Sequence, residues 1–341
     1  MLYGYYEQSG SPFRGTALEE VKAFLERMAL RYDDGIEYTV VIRNGNAQIV
    51  ACASLQENVI KCVAVDPALQ GEGITATLMT ALRREALERG HRHLFLYTKP
   101  ENLAQFSGLS FHEIAQTDNV LLMENRRGGF ASWIASVQLP QARGCIGAAV
   151  MNCNPMTKGH CYLIEQAAAQ CDTLYLFIVS EDKSAVPAQD RRAIVTEATA
   201  HLPNVHVVET GRYLISSATF PDYFLKDTSQ SSAVWTQLDI AVFCRTAQAL
   251  GITKRFVGSE PFCPTTNAYN TAMAEALPKV GIDLVQFPRL AQEGTAVSAT
   301  QVRNLVAQGR WQDTKELVPT ATWHYLSDEQ NRAKLLARMA H

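Results

Sequence analysis

Thr157-Lys158-Gly159-His160 is the stretch of this chain whose residue types and spacing could do chemistry. It follows Cys145-Ile146-Gly147-Ala148-Ala149-Val150-Met151, which reads as a buried strand, and precedes a helix that begins near His160. A strand that leaves through Asn152-Cys153-Asn154-Pro155 and turns at a glycine aims backbone N–H groups at one point, and such a point attracts a phosphate. Thr157 is placed to cap the helix, and Gly159 lets a ligand approach the backbone. His160 stands in the first helical turn, where it can touch a docked anion. The chemistry this suggests is the handling of ATP phosphates. On this stretch alone, a helix cap with a hydrogen-bonded surface histidine is an equal reading.

Activation of a carboxylate by ATP needs in-line attack on the α-phosphorus while pyrophosphate leaves. Charge builds on the phosphate oxygens, and each preorganised donor there is worth about 3–4 kcal/mol. Val297-Ser298-Ala299-Thr300-Gln301-Val302-Arg303 offers a second anion site, because two hydroxyls and an arginine open the apolar helix pattern Val302, Leu305, Val306. Ser298 or Thr300 caps that helix and Arg303 projects a forked cation one turn later. Taken alone, this too is an ordinary capped helix. Both motifs in one α/β domain, at its first and last strand-helix turns, favour function. Lys183, after the second strand of that domain, could also reach a phosphate. Asp190-Arg191 reads as a helix cap with an exposed arginine rather than a catalytic pair. Phe220, Tyr223 and Phe224 could line an acyl channel or pack in a core.

The elements that must position these residues fall into two halves. In the first, strands Glu37–Ile42 and Ala47–Cys52 flank Arg43-Asn44-Gly45-Asn46, a hairpin signal, and Val59–Val65 makes a third strand. Asp66–Gly73 then opens a helix with the stripe Ile74, Leu78, Leu82, Ala86, followed by strand His93–Thr98, a short helix near Leu103–Phe106 and strand Asn119–Glu124. After a short amphipathic helix near Phe130–Val137, strands Cys145–Met151, Leu174–Val179, Val205–Glu209, Arg255–Gly258 and Leu284–Phe287 alternate with helices. Near-continuously apolar strands in βα alternation mean a parallel sheet covered on both faces. Ligands collect beyond the carboxyl ends of such strands, at the switch point. The expected fold is therefore α/β: a mixed-sheet domain over 1–127, a linker helix over 128–142, and a doubly wound parallel-sheet domain over 143–341.

The bulk properties fit two soluble domains. The chain has 341 residues, 47% hydrophobic and 19% charged, with a formal charge of −3. No basic stripe suggests nucleic acid, and no apolar run is long enough to span a bilayer. Met1-Leu2-Tyr3-Gly4-Tyr5-Tyr6-Glu7 lacks the charged head and apolar middle of a secretory signal, so a cytoplasmic protein is expected. Eight cysteines without a Cys-x-x-Cys read as reduced thiols, and no His/Cys spacing supports zinc.

The two phosphate motifs resemble those of the nucleotidyltransferase superfamily, in which a Thr/His-x-Gly-His turn and an Ile-Ser-Ser-Thr-x-x-Arg segment clasp ATP. Ser180–Arg191, Ile215–Lys226 and Phe256–Cys263 narrow the likeness to the citrate lyase ligase family, over nearly the whole chain. That resemblance implies an acid-thiol ligase that uses ATP and acetate. It would acetylate the thiol of a phosphoribosyl-dephospho-coenzyme A group on the acyl carrier subunit of citrate lyase, through acetyl-adenylate, releasing AMP and pyrophosphate. It implies Mg2+ as the companion of ATP. The residues it places at ATP are Asn152, Cys153, Asn154, Thr157, Lys158, Gly159, His160, Gly258, Glu260, Ser298, Thr300 and Arg303, with Thr157, His160 and Arg303 catalytic. Cys161 departs from the pattern, standing where a basic residue is common.

In the first half, Gln70-Gly71-Glu72-Gly73-Ile74-Thr75 approximates the pyrophosphate turn of the GCN5-related acetyltransferase fold, with a strand before it and a helix after it. Thr75 stands where that family prefers glycine or alanine, and Phe106 lies where many members carry a tyrosine. The turn is expected either to dock the carrier's prosthetic group or to belong to a domain kept for packing. Two further functions stay open: adenylyl transfer to a phosphorylated metabolite, and acetyl-coenzyme A dependent acetyl transfer with an appended nucleotide-sensing domain.

Overall fold

The computed structural model describes residues 4–33, 35–180, 182, 184–214, 231–259, 264–289, 291–292 and 295–339. The chain divides into two units, Met1–Ala131 with Ser217–Ala241, and Ser132–Ser216 with Val242–His341.

The first unit contains β1 (Tyr6–Gly10), α1 (Gly15–Arg27), β2 (Tyr38–Arg43), β3 (Ile49–Gln56), β4 (Val59–Val65), α2 (Ile74–Glu88), β5 (Phe95–Thr98), α3 (Leu103–Gly108), β6 (His112–Gln116) and β7 (Leu121–Glu124). Its seven-stranded sheet has the order β1-β2-β3-β4-β5-β7-β6 and is mixed, with β4 and β5 running parallel. The hairpin expected at Asn44-Gly45 joins β2 to β3, and the Asn44 Oδ1 accepts the amides of Asn46 and Gln48, both at 3.0 Å. The stripe Ile74, Leu78, Leu82, Ala86 is buried against the sheet, as the four-residue spacing requires. Strands β4 and β5 pair only at Val59–Phe95 and Ile60–Leu96. Strands β1 and β6 and helix α1 are additions to the elements read from sequence. Strand β1 pairs only with β2, and its Tyr-Glu-Gln-Ser-Gly has no apolar alternation to announce it.

The second unit follows α4 (Gly129–Val137), a helix that bridges the division, and starts its sheet with β8 (Ile146–Met151). Then come α5 (Lys158–Ala168), β9 (Thr173–Ile178), α6 (Ala188–Thr199), β10 (Val205–Glu209), α7 (Ser231–Leu250, whose residues up to Ala241 count with the first unit), β11 (Lys254–Gly258), α8 (Pro264–Ala276) and β12 (Asp283–Phe287). A small hairpin, β13 (Ala291–Gln292) with β14 (Thr295–Ala296), leads to α9 (Ala299–Ala307), α10 (Thr320–Ser327) and α11 (Glu329–Met339). The five-stranded sheet has the order β10-β9-β8-β11-β12 with every pairing parallel. Every residue of β9 is buried, which is what a strand covered on both faces demands. The order reverses beside β8. The chain steps outward through β9 and β10, then restarts on the other side with β11 and β12, so the switch point lies between the ends of β8 and β11. Among the described residues, no helix is long and apolar enough to cross a membrane.

One buried cation ties the strand ends together. The sequence suggested that Arg191 is exposed; instead it is fully buried in α6. Its Nε donates to Val186 O at 3.0 Å, and its Nη1 donates to Val179 O at 2.8 Å and to Asn152 O at 2.9 Å. The same nitrogen reaches Asn152 Oδ1 at 2.5 Å. Burial of a guanidinium is tolerable because carbonyl oxygens replace its water. Asp190, one residue earlier, is not the cap either. Pro187 holds that position, and the Asp190 carboxylate accepts the Tyr325 hydroxyl at 3.1 Å.

Replacing Arg191 with Met keeps most of the volume and removes every donor. Orphaned buried carbonyls cost about 1–3 kcal/mol each, so urea unfolding of Arg191→Met should show a loss of about 3 kcal/mol or more. A loss below about 1 kcal/mol, the size of an ordinary surface substitution or less, would show that Arg191 does not hold the strand ends.

Candidate active site

The turn after β8 is built from the helix start backward. Thr157 has extended backbone, φ −123° and ψ 166°, and caps α5. Its Oγ1 accepts the His160 amide at 3.4 Å, and its own amide donates to His160 Nδ1 at 3.0 Å. This is a capping box closed by a histidine in place of the usual Glu or Gln. The arrangement fixes the tautomer. Because Nδ1 accepts a backbone N–H, the proton of the neutral ring sits on Nε2. Burial, reinforced by the positive charge of Arg289, lowers the His160 pKa to about 4. His160 is therefore a neutral ring with one outward donor.

The other residues of the turn are placed as follows. Asn152 takes Arg191 on its carbonyl oxygens and pairs its side-chain amide with Ser184 Oγ at 3.1 Å. Cys153 is buried with φ +50°, and burial raises its thiol to about 12. Asn154 Oδ1 accepts the Val186 amide at 2.8 Å. The Lys158 amide donates to Leu317 O at 2.9 Å, and its ammonium lies 3.6 Å from Glu316 Oε2. Lys158 is thus turned to the segment after α9. The turn is not the row of free amides that the sequence suggested, since those of Thr157, Lys158, His160 and Cys161 are all committed.

The second motif meets the first. Ser298 caps α9, its Oγ accepting the Gln301 amide at 3.2 Å. Arg303 donates through Nη2 to Thr300 Oγ1 at 3.0 Å and through Nη1 to Asn154 O at 2.5 Å, directly on the turn after β8. Gly159 explains how close the two helix starts can come. A methyl group there would stand 3.2 Å from Val297 O, tighter than most such contacts, so the backbone of Val297 would have to give way by a few tenths of an ångström. The two motifs, 149 residues apart at Asn154 and Arg303, form one locus at the carboxyl end of β8. Gly258 ends β11 on the other side of the switch point, where a Cβ would come within 3.3 Å of Leu163 Cδ1. Glu260, Lys183 and the stretch Ile215–Lys226 lie outside the described residues.

Sequence reasoning missed Arg289, which acts on the His160 charge, because it enters through tertiary contact; it counted Ser180–Arg191 in the likeness but did not foresee that Ser184 and Val186 meet Asn152 and Asn154. Among the described residues, no group of three or more His, Cys, Asp or Glu side chains stands together to hold a metal.

In the first unit, Gly71 and Gly73 have φ of +91° and +76°, and a Cβ on either would meet nothing within 4 Å. Gly73 is the left-handed residue that starts α2, Ile74 is buried beneath it, and Thr75 Oγ1 accepts Gln105 Nε2 at 3.0 Å. Gln70 and Glu72 donate their amides back to Pro67 O and Leu69 O, each at 3.4 Å. The amides of Gly71, Gly73, Ile74 and Thr75 have no partner among the described residues.

Comparison with known proteins gives these features a family. Residues 146–326 match the model of the citrate lyase ligase C-terminal domain, and residues 4–107 match the acetyltransferase (GNAT) family. A citrate (pro-3S)-lyase ligase of Klebsiella pneumoniae is 41% identical over 315 residues, covering 90% of this chain and 92% of the relative. Its namesake in Escherichia coli is 40% identical over 331 residues, covering 94% of each. That of Haemophilus influenzae is 40% identical over 319 residues, covering 91% and 95%. With one matched domain carrying the two convergent helix starts, and identity sustained across nearly the full length of these relatives, the chain belongs to the citrate lyase ligase family.

Proposed function

We propose that this chain is an acid-thiol ligase that makes acetyl-adenylate from acetate and ATP, then passes the acetyl group to a thiol. The thiol is that of the phosphoribosyl-dephospho-coenzyme A group on the acyl carrier subunit of citrate lyase, which the reaction activates. The single observation that carries the reading is the meeting of the His160 turn and the Arg303 helix start at the end of β8. In the first step a carboxylate oxygen of acetate bonds to the α-phosphorus, and the bond to the bridging oxygen breaks, its electron pair leaving with pyrophosphate. In the second, the thiol sulfur attacks the acetyl carbonyl, AMP departs, and the thiol proton goes to solvent. The protein's part is positioning and charge. His160 donates from Nε2, and Arg303 supplies a cation whose remaining N–H groups can face phosphate oxygens. Thr157 holds the imidazole in register, and Ser298 with Thr300 orders the second helix start. Asn152, Cys153, Asn154, Lys158, Gly159 and Gly258 frame the nucleotide. Glu260 and Lys183 belong to this reading by their place in sequence alone.

Mg2+ enters as the companion of ATP, with the triphosphate supplying oxygen ligands. The turn Gln70–Thr75 would seat the pyrophosphate of the carrier's prosthetic group, on the amides of Gly71, Gly73, Ile74 and Thr75, which have no partner among the described residues. The setting is cytoplasmic, where the free thiols of the described cysteines would stay reduced.

Acetate-dependent exchange of labelled pyrophosphate into ATP tests the first step. His160→Ala and Arg303→Ala should each lower it about a hundredfold or more, the usual cost of removing one such donor. No exchange in the unaltered protein would overturn the adenylate, and near-normal exchange in either variant would remove that residue from the site. Thr75→Asp, which puts a negative charge on the other turn, should raise the apparent KM for carrier about tenfold, about 1.4 kcal/mol, with exchange unaltered. An unchanged KM would take the prosthetic group off that turn. The folded His160 ring should titrate near pH 4 in an NMR experiment, so that it stays neutral from neutral pH downward and gains its proton only in acid. A measured value at or above 6.5 would mean that it carries charge toward the physiological range, and that burial does not keep the ring neutral with Nδ1 free to accept the Thr157 amide.

A further inference from the structure

Helix α11 lies beyond the stretch that matches the ligase domain model, yet it reaches the site from outside. Its Leu335 is fully buried in the core of the second unit, and the helix packs on α9, whose start carries Ser298 and Arg303. One turn on, Arg338 crosses to the segment after β9. Its Nε donates to Ser184 O at 2.9 Å, and its Nη2 donates to Asp182 O and reaches Asp182 Oδ1 at 2.9 Å. Both anchored residues have a second task. Asp182 Oδ1 accepts the Ala188 amide at 2.9 Å, at the start of α6. Ser184 Oγ exchanges hydrogen bonds with the Asn152 side chain at 3.1 and 3.2 Å. Asn152 is the first residue of the turn that ends in His160.

We infer that Arg338 is a positioning residue for the nucleotide site. It acts through Ser184 and Asn152 to hold the head of the turn after β8, while its helix packs on α9. Charge alone would not serve this purpose. The Arg338–Asp182 ion pair is 32% and 58% exposed, and exposed pairs contribute little. What a lysine could not copy is the fork, in which separate nitrogens take two main-chain carbonyls at once. The turn and α9 are thereby referred to one rigid element, and a small drift of either is what a positioning defect would express.

The inference rests on the proposed ATP reading, and the experiment separates the two. Acetate-dependent pyrophosphate exchange is measured in the full chain against ATP concentration, beside thermal melting and direct binding of ATP without acetate. Arg338→Ala should raise the KM for ATP about tenfold and weaken ATP binding in proportion, with kcat within about twofold. Arg338→Lys should recover less than half of that loss on a logarithmic scale. Ser184→Ala should produce part of the same defect, and the double variant should lose no more than Arg338→Ala alone, because both act on one path. An unchanged KM for ATP in Arg338→Ala, additive losses in the double variant, full rescue by lysine, or a defect that only tracks melting would each overturn the inference. Absence of exchange and of ATP binding in the unaltered protein would instead overturn the ATP reading beneath it.

Discussion

The close approach of two helix starts is the constraint on which the site of the second unit depends. The N-terminus of an α-helix behaves as about half a positive charge, so bringing α5 and α9 together sets like charges side by side. Arg303 adds a full one, and Arg289 bears on the same place. The structure relieves this partly with backbone. Arg303 is held on Asn154 O and Thr300 Oγ1, which accept its protons without cancelling its charge. His160 is kept neutral, so that no further cation is crowded in. Two arginines and two helix starts thus face one place with little to offset them from the His160 ring, an arrangement that on the proposed reading would suit an anion. Gly159 eases the approach, since a side chain there would press on the Val297 carbonyl.

Much of this was legible from sequence, and the rest was not, for separable reasons. Apolar strands in βα alternation gave the parallel sheet, because a strand covered on both faces can carry almost nothing but Val, Ile, Leu, Ala and Phe. The two capped helix starts were visible as Thr157 and Ser298, since a cap is a local event written in a few residues. Helix α1 was also written, in the spacing of Val21, Phe24 and Leu25, although the strand and helix reading began only at Glu37. Arg191 was hidden in principle. Its burial depends on carbonyls of Asn152, Val179 and Val186, which come together only when β8 and β9 lie side by side. The commitment of the Lys158 amide was hidden likewise, because its acceptor is Leu317, far along the chain, whereas the amides of Thr157, His160 and Cys161 bond within the turn itself.

That last point separates two turns that look alike on paper. Gln70–Thr75 and Thr157–His160 each join a strand to a helix through glycine. In the first, left-handed glycines leave amides without internal partners, so the backbone is the group left to meet a ligand. In the second, Thr157, Lys158, His160 and Cys161 have spent their amides on internal bonds, so on the proposed reading recognition falls to side chains. A backbone nest accepts any group with the charge of a phosphate. A histidine held in one tautomer and an arginine held in one fork have fixed directions, which suits a site that must favour a transition state over a ground state.

The thiols beside the second turn bear on how an acetyl group would travel. A route through an enzyme cysteine would need a thiolate, since the thiol is a poor nucleophile. Cys153 and Cys161 are the cysteines nearest the His160 turn in sequence, and burial pushes them up to about 12 and about 11. Cys153 is in addition enclosed behind the turn, without access to a substrate. Both would stay protonated near neutral pH, when a competent nucleophile needs the opposite shift. Direct attack by the carrier's own thiol on the adenylate therefore asks less of this protein than a relay through either cysteine. On the proposed reading, that leaves the chain to position its substrates rather than to react with them.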